Sequence, residues 1–331
     1  MKLAIVGVSG LVGTELLKVL DELNFEINQL IPVASERSVG NYIRYKNNDY
    51  QIIGMKDAIA LRPDIAIFSA GGDTSLQWAP EFEAVGTYVI DNSSAWRMNE
   101  RCPLVVPEIN SSAITSNTKI IANPNCSTIQ MVVALNPLHK EYGIDRIVVS
   151  TYQSFTGTGM KAVKQYNAEK NNQPVPEPRA YKHPIFENCI PQCDVFLPND
   201  YTKEEMKLVN EPRKILGDPS LRITATAVRV PVFGGHSESV NVSFKNAIDI
   251  DKVRQILDNS PGIALMDNPS ESVYPTPLQA HNRNEVLVGR VRLDNSQANT
   301  LNLWITADNL RKGAATNAIQ IAQSLVSQNL I

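Results

Sequence analysis

Leu3-Ala4-Ile5-Val6, followed at once by Gly7-Val8-Ser9-Gly10-Leu11-Val12-Gly13, restricts the fold more than any other stretch of the chain. Four consecutive apolar residues read as a short, fully buried strand. The glycines, spaced G-x-x-G-x-x-G, make a tight turn, and Leu16, Leu17, Val19 and Leu20 give the helix after it an apolar stripe. Strand, glycine turn and helix N-terminus together form a place where a pyrophosphate can meet backbone N–H groups closely. The spacing differs from the usual G-x-G-x-x-G, and a tight βα turn without ligand is the competing reading.

Further buried strands follow at Gln29–Ala34, Asp64–Ser69, Tyr88–Asp91, Leu104–Glu108 and Ile120–Ala122, alternating with helical patterns. That alternation predicts an α/β, doubly wound parallel sheet, with ligands at the carboxyl ends of its strands. Gly71, Arg97, Glu108 and Cys126 fall at strand ends by this reading. After the second strand comes Ser35-Glu36-Arg37-Ser38. An acid there suits the ribose 2′-OH of NAD and an arginine the 2′-phosphate of NADP. Both are present, and the two serines tilt the balance toward phosphate.

Beyond Gly143 the texture changes. Asp145–Gln153, Leu221–Val232, Ser239–Phe244, Val286–Leu293 and Leu301–Ala307 alternate like strands, and Asn171–Pro191 is a long irregular excursion rich in proline. These predict a second, α+β domain with a mixed or antiparallel sheet and few helices, before a last helix over Asn317–Val326. At 331 residues there is length for two cores. A formal net charge of −3 implies no basic face, so nucleic acid and anionic membrane are poor partners. No run of about 18 apolar residues is present to span a bilayer. With the glycine turn at the very start, a cytoplasmic location is expected. Four cysteines (102, 126, 189 and 193) suit a reducing compartment, and no metal site is expected of them.

The chemistry gathers around Asn123-Pro124-Asn125-Cys126-Ser127-Thr128. Proline ends the preceding strand, and a helix with an apolar stripe at Ile129, Val132, Val133 and Leu135 begins after it. Cys126 therefore sits near a helix N-terminus, where a thiolate is favoured. Most single cysteines are merely small buried hydrophobes, so the rest of the set decides. Gln153 ends a strand before a glycine turn and carries an amide able to orient an oxyanion. Arg229 lies on a strand and suits a carboxylate; His236 follows two glycines in a turn and is a base or acid near neutral pH. Glu211 and Lys214 share a helix face, where an ordinary ion pair is the default.

Taken together these residues resemble aspartate-β-semialdehyde dehydrogenases, from Gly7 to about Leu325. The most specific pieces are the Asn123–Thr128 stretch, Thr151-Tyr152-Gln153, Arg229-Val230-Pro231 with His236-Ser237-Glu238, and Asp308–Ala315. The resemblance implies Cys126 as nucleophile, Gln153 as the residue orienting the hemithioacetal and His236 as acid/base. It implies Arg229 for the substrate α-carboxylate, Glu211 for its amine, and Arg97, Asn125 and Lys214 for phosphate. It implies NADP held by Gly7, Ser9, Gly10, Leu11, Val12, Gly13, Ser35, Arg37, Ser38, Gly71, Gly157 and Asn309. It also implies a Rossmann-like domain over 1–126 with residues 309–331 returning to it. A domain of the glyceraldehyde-3-phosphate dehydrogenase C-terminal type over 127–308 would be catalytic and dimerising, in a cytoplasmic homodimer. The implied reaction is reversible reductive dephosphorylation of L-4-aspartyl phosphate to L-aspartate 4-semialdehyde through a Cys126 thioester, with release of inorganic phosphate. That step serves lysine, threonine, methionine and, in bacteria, diaminopimelate biosynthesis. Val8-Ser9, the turn after Gln153, and Cys189 and Cys193 depart from the family's pattern. A reductase of another acyl phosphate, such as N-acetylglutamyl phosphate, and a catalytically silent nucleotide-binding protein are the alternatives.

Overall fold

A computed structural model describes all residues, Met1–Ile331. They form two compact units, Met1–Asn125 with Ala314–Ile331, and Cys126–Gly313. Residues 309–313, grouped with the returning helix on sequence grounds, belong to the second unit.

The first unit runs β1 (Lys2–Val6), α1 (Leu11–Glu22), β2 (Gln29–Val33), β3 (Tyr42–Tyr45), β4 (Asn48–Gln51), α2 (Met55–Ala60), β5 (Ile65–Phe68), α3 (Gly72–Ala84), β6 (Tyr88–Asp91), α4 (Pro107–Asn110) and β7 (Ile120–Ala122). Five strands form a parallel sheet in the order β2-β1-β5-β6-β7. Successive side chains of a strand point to opposite faces. Leu3 and Ile5 accordingly enter one apolar layer with Leu16, Leu20 and Ile319, whereas Ala4 and Val6 enter another with Phe68 and Phe82. The doubly covered, Rossmann-like sheet expected from the apolar runs is present. One element goes unread in the sequence, and one reading differs. Tyr42–Gln51 is a hairpin whose turn residues Lys46 and Asn47 both have positive φ, a twist-matched turn made without glycine. Leu104–Glu108 is no strand: only Leu104 bridges to Ala122, and Pro107 begins α4. Proline lacks the N–H a ladder needs and suits the first turn of a helix. Glu108 therefore is not at a strand end, and it accepts a bond from Gln320 Nε2 (3.1 Å).

The second unit runs α5 (Cys126–Tyr142), β8 (Ile144–Ser154), α6 (Met160–Lys170), α7 (Lys203–Leu216), β9 (Arg222–Val230), β10 (His236–Phe244), α8 (Ile250–Asp258), β11 (Ile263–Leu265), α9 (Pro277–Ala280), β12 (Val286–Leu293) and β13 (Thr300–Ala307). A π-helical turn, Arg311–Ala315, leads into α10 (Thr316–Ser327) of the first unit. The sheet is mixed, in the order β11-β12-β13-β10-β8-β9. Between α6 and α7 the irregular excursion is pinned to α6. Gln165 Oε1 accepts from the N–H groups of Ala180 and Tyr181, and Glu169 Oε2 from those of Ile185 and Phe186.

Strand register lays side chains in rows across the sheet. Gln153 pairs with Arg229; Ser237 pairs with Tyr152, so His236 continues the row, and His236 pairs with Ala307. The next row on that face is Ala227, Thr151, Glu238 and Ile305, and the one after is Ala225, Val149, Val240 and Leu303. Helix α5 packs on this face against β8, β10, β12 and β13. His236 thus starts a strand; it does not sit in the turn before it, where the glycines had suggested.

Candidate active site

Three of the residues singled out above, Arg229, Gln153 and His236, occupy one row of the second unit's sheet, facing α5. Cys126, half-buried, is the first residue of that helix. Gln153 ties the two elements together: its Nε2 donates to Ser127 Oγ (2.8 Å) and to Glu204 Oε1 (3.3 Å). A carboxylate only accepts, so Glu204 fixes which end of the amide faces which way. Gln153 Oε1 is left buried with no hydrogen-bond partner in the chain.

Arg229 donates from Nη1 to the Ser154 carbonyl (2.8 Å), and its buried Nε has no partner. Burial disfavours the guanidinium charge, but Cys193, Tyr181, Glu204 and Cys126 around it more than offset this and raise its pKa. His236 Nδ1 accepts from the Ser154 N–H (3.0 Å), which assigns the ring proton to Nε2; that atom too is buried without a partner. Complete burial and then the neighbouring Arg229 push His236 down to about 3, with Glu204 opposing. The ring is therefore neutral at pH 7, and the cation beside Cys126 is Arg229. One row thus presents two unmet donors and one unmet acceptor. Buried polar atoms without partners are rare, and a ligand is one explanation for them.

Glycines bring the surrounding chain onto this row. A Cβ at Gly157 would lie 3.0 Å from Arg229 Nη1 and 3.2 Å from His236 Nε2. Grouped with the cofactor residues on sequence grounds, Gly157 lies over this pair. A Cβ at Gly313 would come 2.7 Å from that of Cys126. The 308–313 segment is shaped by Asp308, whose Oδ1 accepts from the N–H groups of Leu310 and Arg311. Asn309 Oδ1 accepts from Thr156 Oγ1 (3.2 Å). Glu211 is buried and Lys214 half-buried, both on α7. Sequence reasoning missed Glu204 and Ser127 as parts of the site. Glu204 stands seven residues before Glu211 on α7, two helical turns along the same face, and that repeat was the available signal.

None of the four cysteines forms a disulfide, and burial pushes the Cys193 thiol up to about 12. No group of three or more His, Cys, Asp or Glu side chains is placed to hold a metal.

In the first unit the sheet order reverses between β1 and β5, and the turns that follow these strands touch. A Cβ at Gly7 (φ +86°) would fall 2.4 Å from the Ser69 carbonyl oxygen. A Cβ at Gly13 would fall 2.3 Å from that of Gly7, so helix α1 packs against its own turn as only glycine allows. Gly10 is the N-cap of α1 and supplies no side-chain cap, leaving the helix N–H groups of Leu11, Val12 and Gly13 for a phosphate. Ser9 lies in this turn, and Gly71 (φ +90°) similarly begins α3. After β2, Ser35 and Arg37 are exposed and Ser38 half-buried. This cradle at the sheet's switch point fits a dinucleotide. Arg97 is buried, donating from Nε to the Asn123 carbonyl (2.9 Å) and from Nη2 to that of Asn92 (2.8 Å); Asn125 is buried nearby in sequence.

Residues 2–117 match the family model "Semialdehyde dehydrogenase, NAD binding domain", and residues 135–312 match "Semialdehyde dehydrogenase, dimerisation domain". The chain is 48% identical to an aspartate-semialdehyde dehydrogenase of Aquifex aeolicus, covering 100% of this chain and 99% of that one. It is 43% identical to one from Bacillus subtilis, over 100% and 99%. The crystal structure of aspartate semialdehyde dehydrogenase II from Vibrio cholerae complexed with ASA superposes with a TM-score of 0.94 at 45% identity, covering 98% of each chain. A Candida albicans aspartate semialdehyde dehydrogenase with NADP (TM-score 0.78, 23% identity, 100% of this chain and 99% of that one) shares the fold.

Proposed function

The chain belongs to the aspartate-semialdehyde dehydrogenase family, an oxidoreductase family with an NAD(P)-binding Rossmann fold, and on that premise we propose its reaction in detail. It converts L-4-aspartyl phosphate reversibly to L-aspartate 4-semialdehyde and inorganic phosphate, with NADPH oxidised to NADP⁺ and through a thioester on Cys126.

The observation that carries this reading is the row of unmet polar atoms facing the N-terminus of α5. Arg229, with Nε unpartnered, holds the substrate α-carboxylate by charge-assisted bonds. Cys126, at the positive end of a helix, attacks the acyl carbon as thiolate; the C–S bond forms, phosphate leaves, and a thioester remains. A nicotinamide held by the glycine cradle would supply the hydride that reduces the thioester to a hemithioacetal, whose C–S bond then breaks to release the aldehyde and return Cys126 as thiolate. His236 aims its Nε2–H at the oxygen that gains charge, acting first as a donor, since Nδ1 is already held by Ser154. A base role, expected from residue type and from the resemblance, requires that bond to be released. Gln153 Oε1 accepts from the hydroxyl of the hemithioacetal. Buried Glu211 suits the substrate's ammonium, and Arg97, Asn125 and Lys214 suit phosphate.

The glycine cradle holds the pyrophosphate, and Arg37 with Ser35 and Ser38 the 2′-phosphate of NADP. The dimerisation-domain match supports a homodimer. We place the enzyme in the cytoplasm, in the biosynthesis of lysine, threonine, methionine and diaminopimelate. Purified protein mixed with aspartate semialdehyde, phosphate and NADP⁺ should form NADPH, with a requirement for phosphate. Turnover of N-acetylglutamate semialdehyde instead, or of neither aldehyde, would overturn the assignment.

A further inference from the structure

One step beneath the functional row lies a second set of polar side chains that the reaction does not use. Gln130 follows Cys126 by four residues on α5, and so lies on the same helix face. Thr151 precedes Gln153 by two residues on β8, and Glu238 follows His236 by two on β10, each on the same sheet face as its neighbour. Thr151 and Glu238 pair directly across the strands. All three are buried, with Thr151 and Glu238 at 0% exposure. Gln130 Nε2, Thr151 Oγ1 and both carboxyl oxygens of Glu238 have no hydrogen-bond partner in the chain.

Four such atoms in one layer are costly. An unsatisfied buried polar group costs about 1–3 kcal/mol, and an apolar replacement of the same shape can be neutral or stabilising. The next row down shows that the sheet can make that replacement: Ala225, Val149, Val240 and Leu303 fill it. The polar layer is therefore not needed for packing. Its atoms are complementary, with an amide donor, a hydroxyl that donates or accepts, and a carboxyl. An internal water takes two to four polar partners, which is what these elements converge to offer.

We propose that Gln130, Thr151 and Glu238 form a positioning layer, closed through internal water, that holds Cys126, Gln153 and His236 in register from below. The carboxyl enters it neutral. Burial pushes the Glu238 pKa well above the ordinary range, and the one group that draws it down is the Gln130 amide, which stands short of hydrogen-bond geometry. Thr151 on β8, Ile305 on β13 and Gln130 on α5 face Glu238, and none carries a charge. A neutral carboxyl donates through O–H and accepts through C=O, as an amide does.

Two substitutions of similar shape separate this from a merely structural role. Glu238→Gln keeps a neutral donor and acceptor, so kcat, KM and the alkylation rate of Cys126 should stay near wild type. It should also remove a pH dependence. A folded-state pKa raised above the unfolded value gives stability that is present below pH 4.5 and is lost as pH rises, so the variant should gain Tm progressively above pH 4.5 and none below it. Glu238→Leu should fold with Tm at or above wild type. Its kcat and Cys126 alkylation should fall about 10-fold or more, toward the roughly 10²-fold that a misplacement of about 1 Å costs, with KM unchanged. Should Glu238→Leu fail to fold, Thr151→Val should show the same split. Wild-type kcat and alkylation in the apolar variant that folds, or damage in Glu238→Gln equal to that in Glu238→Leu, would overturn the proposal. It rests on Cys126 as the reactive thiol; alkylation and Tm need no substrate, so they stand if the assigned reaction fails.

Discussion

The two units build their candidate sites by opposite means. The first makes its cradle from absent side chains: Gly7, Gly10 and Gly13 bring backbone within reach, and a Cβ at two of them would strike a carbonyl oxygen. The second makes its site from side chains with unfilled bonding capacity, namely Arg229 Nε, His236 Nε2 and Gln153 Oε1. A parallel sheet, buried on both faces, has apolar strands and leaves polar work to the turns. A mixed sheet with one face under α5 can carry a polar row within its strands. The first site is therefore damaged by adding atoms and the second by removing or replacing them.

The largest effect expected on this contrast comes from Cys126→Ala. It should abolish NADPH formation while leaving cofactor binding and Tm near wild type, because a single atom of the second site is lost. In the wild-type protein an alkylating reagent should label Cys126 first at neutral pH; peptide mapping that finds another cysteine labelled first, with activity intact, would refute its role. Cys193, with its thiol pushed up to about 12, should be slowest.

His236→Gln should come next. Losing one donor to a developing oxyanion typically costs about 10²–10³ in kcat, and KM should move little. The pH profile sharpens this. With the folded-state pKa depressed to about 3, His236 is neutral across the working range, so the kcat/KM profile around pH 6.5 should keep its shape in the variant. The stability sign follows from the same shift. The contribution of a depressed pKa is present above 6.5 and lost as pH falls toward 3, so the variant should lose less Tm in acid than wild type. A wild-type acid limb at 6.5 that vanishes in His236→Gln would restore the base role.

Arg37→Ala should weaken NADP by about 10- to 150-fold, the equivalent of roughly 1.5–3 kcal/mol for charge-assisted bonds, and hardly change NAD. Equal weakening of both would point to Glu36 and the ribose. The smallest effect expected is that of Gly13→Ala. Crowding the Gly7 carbonyl should cost about 1–3 kcal/mol of stability and weaken both cofactors alike, with Cys126 alkylation unchanged.

How much of this was legible in the sequence depended on how local the cause was. Val286–Leu293 reads as a strand and is one, because alternation and burial lie in the segment itself. Leu104–Glu108 misled because its apolar run was weighed above Pro107, which starts a helix. His236 looked like a turn residue because glycines precede it, whereas pairing with Ala307 draws it into β10. Arg229, Gln153 and His236 were each visible as chemistry, but their shared row comes from strand register, which no single segment encodes. Glu204 escaped because a carboxylate on a charged helix looks solvated until Gln153 is seen against it.

The edge of the second sheet has a consequence for how chains meet. β9 is an outer strand, and such an edge ordinarily invites a further strand to add. Toward its C-terminal end, outward groups of Ala227 and Arg229 are taken. The Ala227 N–H donates to Glu205 Oε1 (2.9 Å), and Arg229 exchanges both backbone bonds with Ile190 of the irregular excursion. Glu205 also accepts from the Thr202 N–H at the start of α7, so one carboxylate both begins a helix and seals a strand. Strand addition along this part of β9 is closed to a second copy and to aggregating neighbours alike, and the backbone of Arg229 is held where a passing chain cannot peel it away.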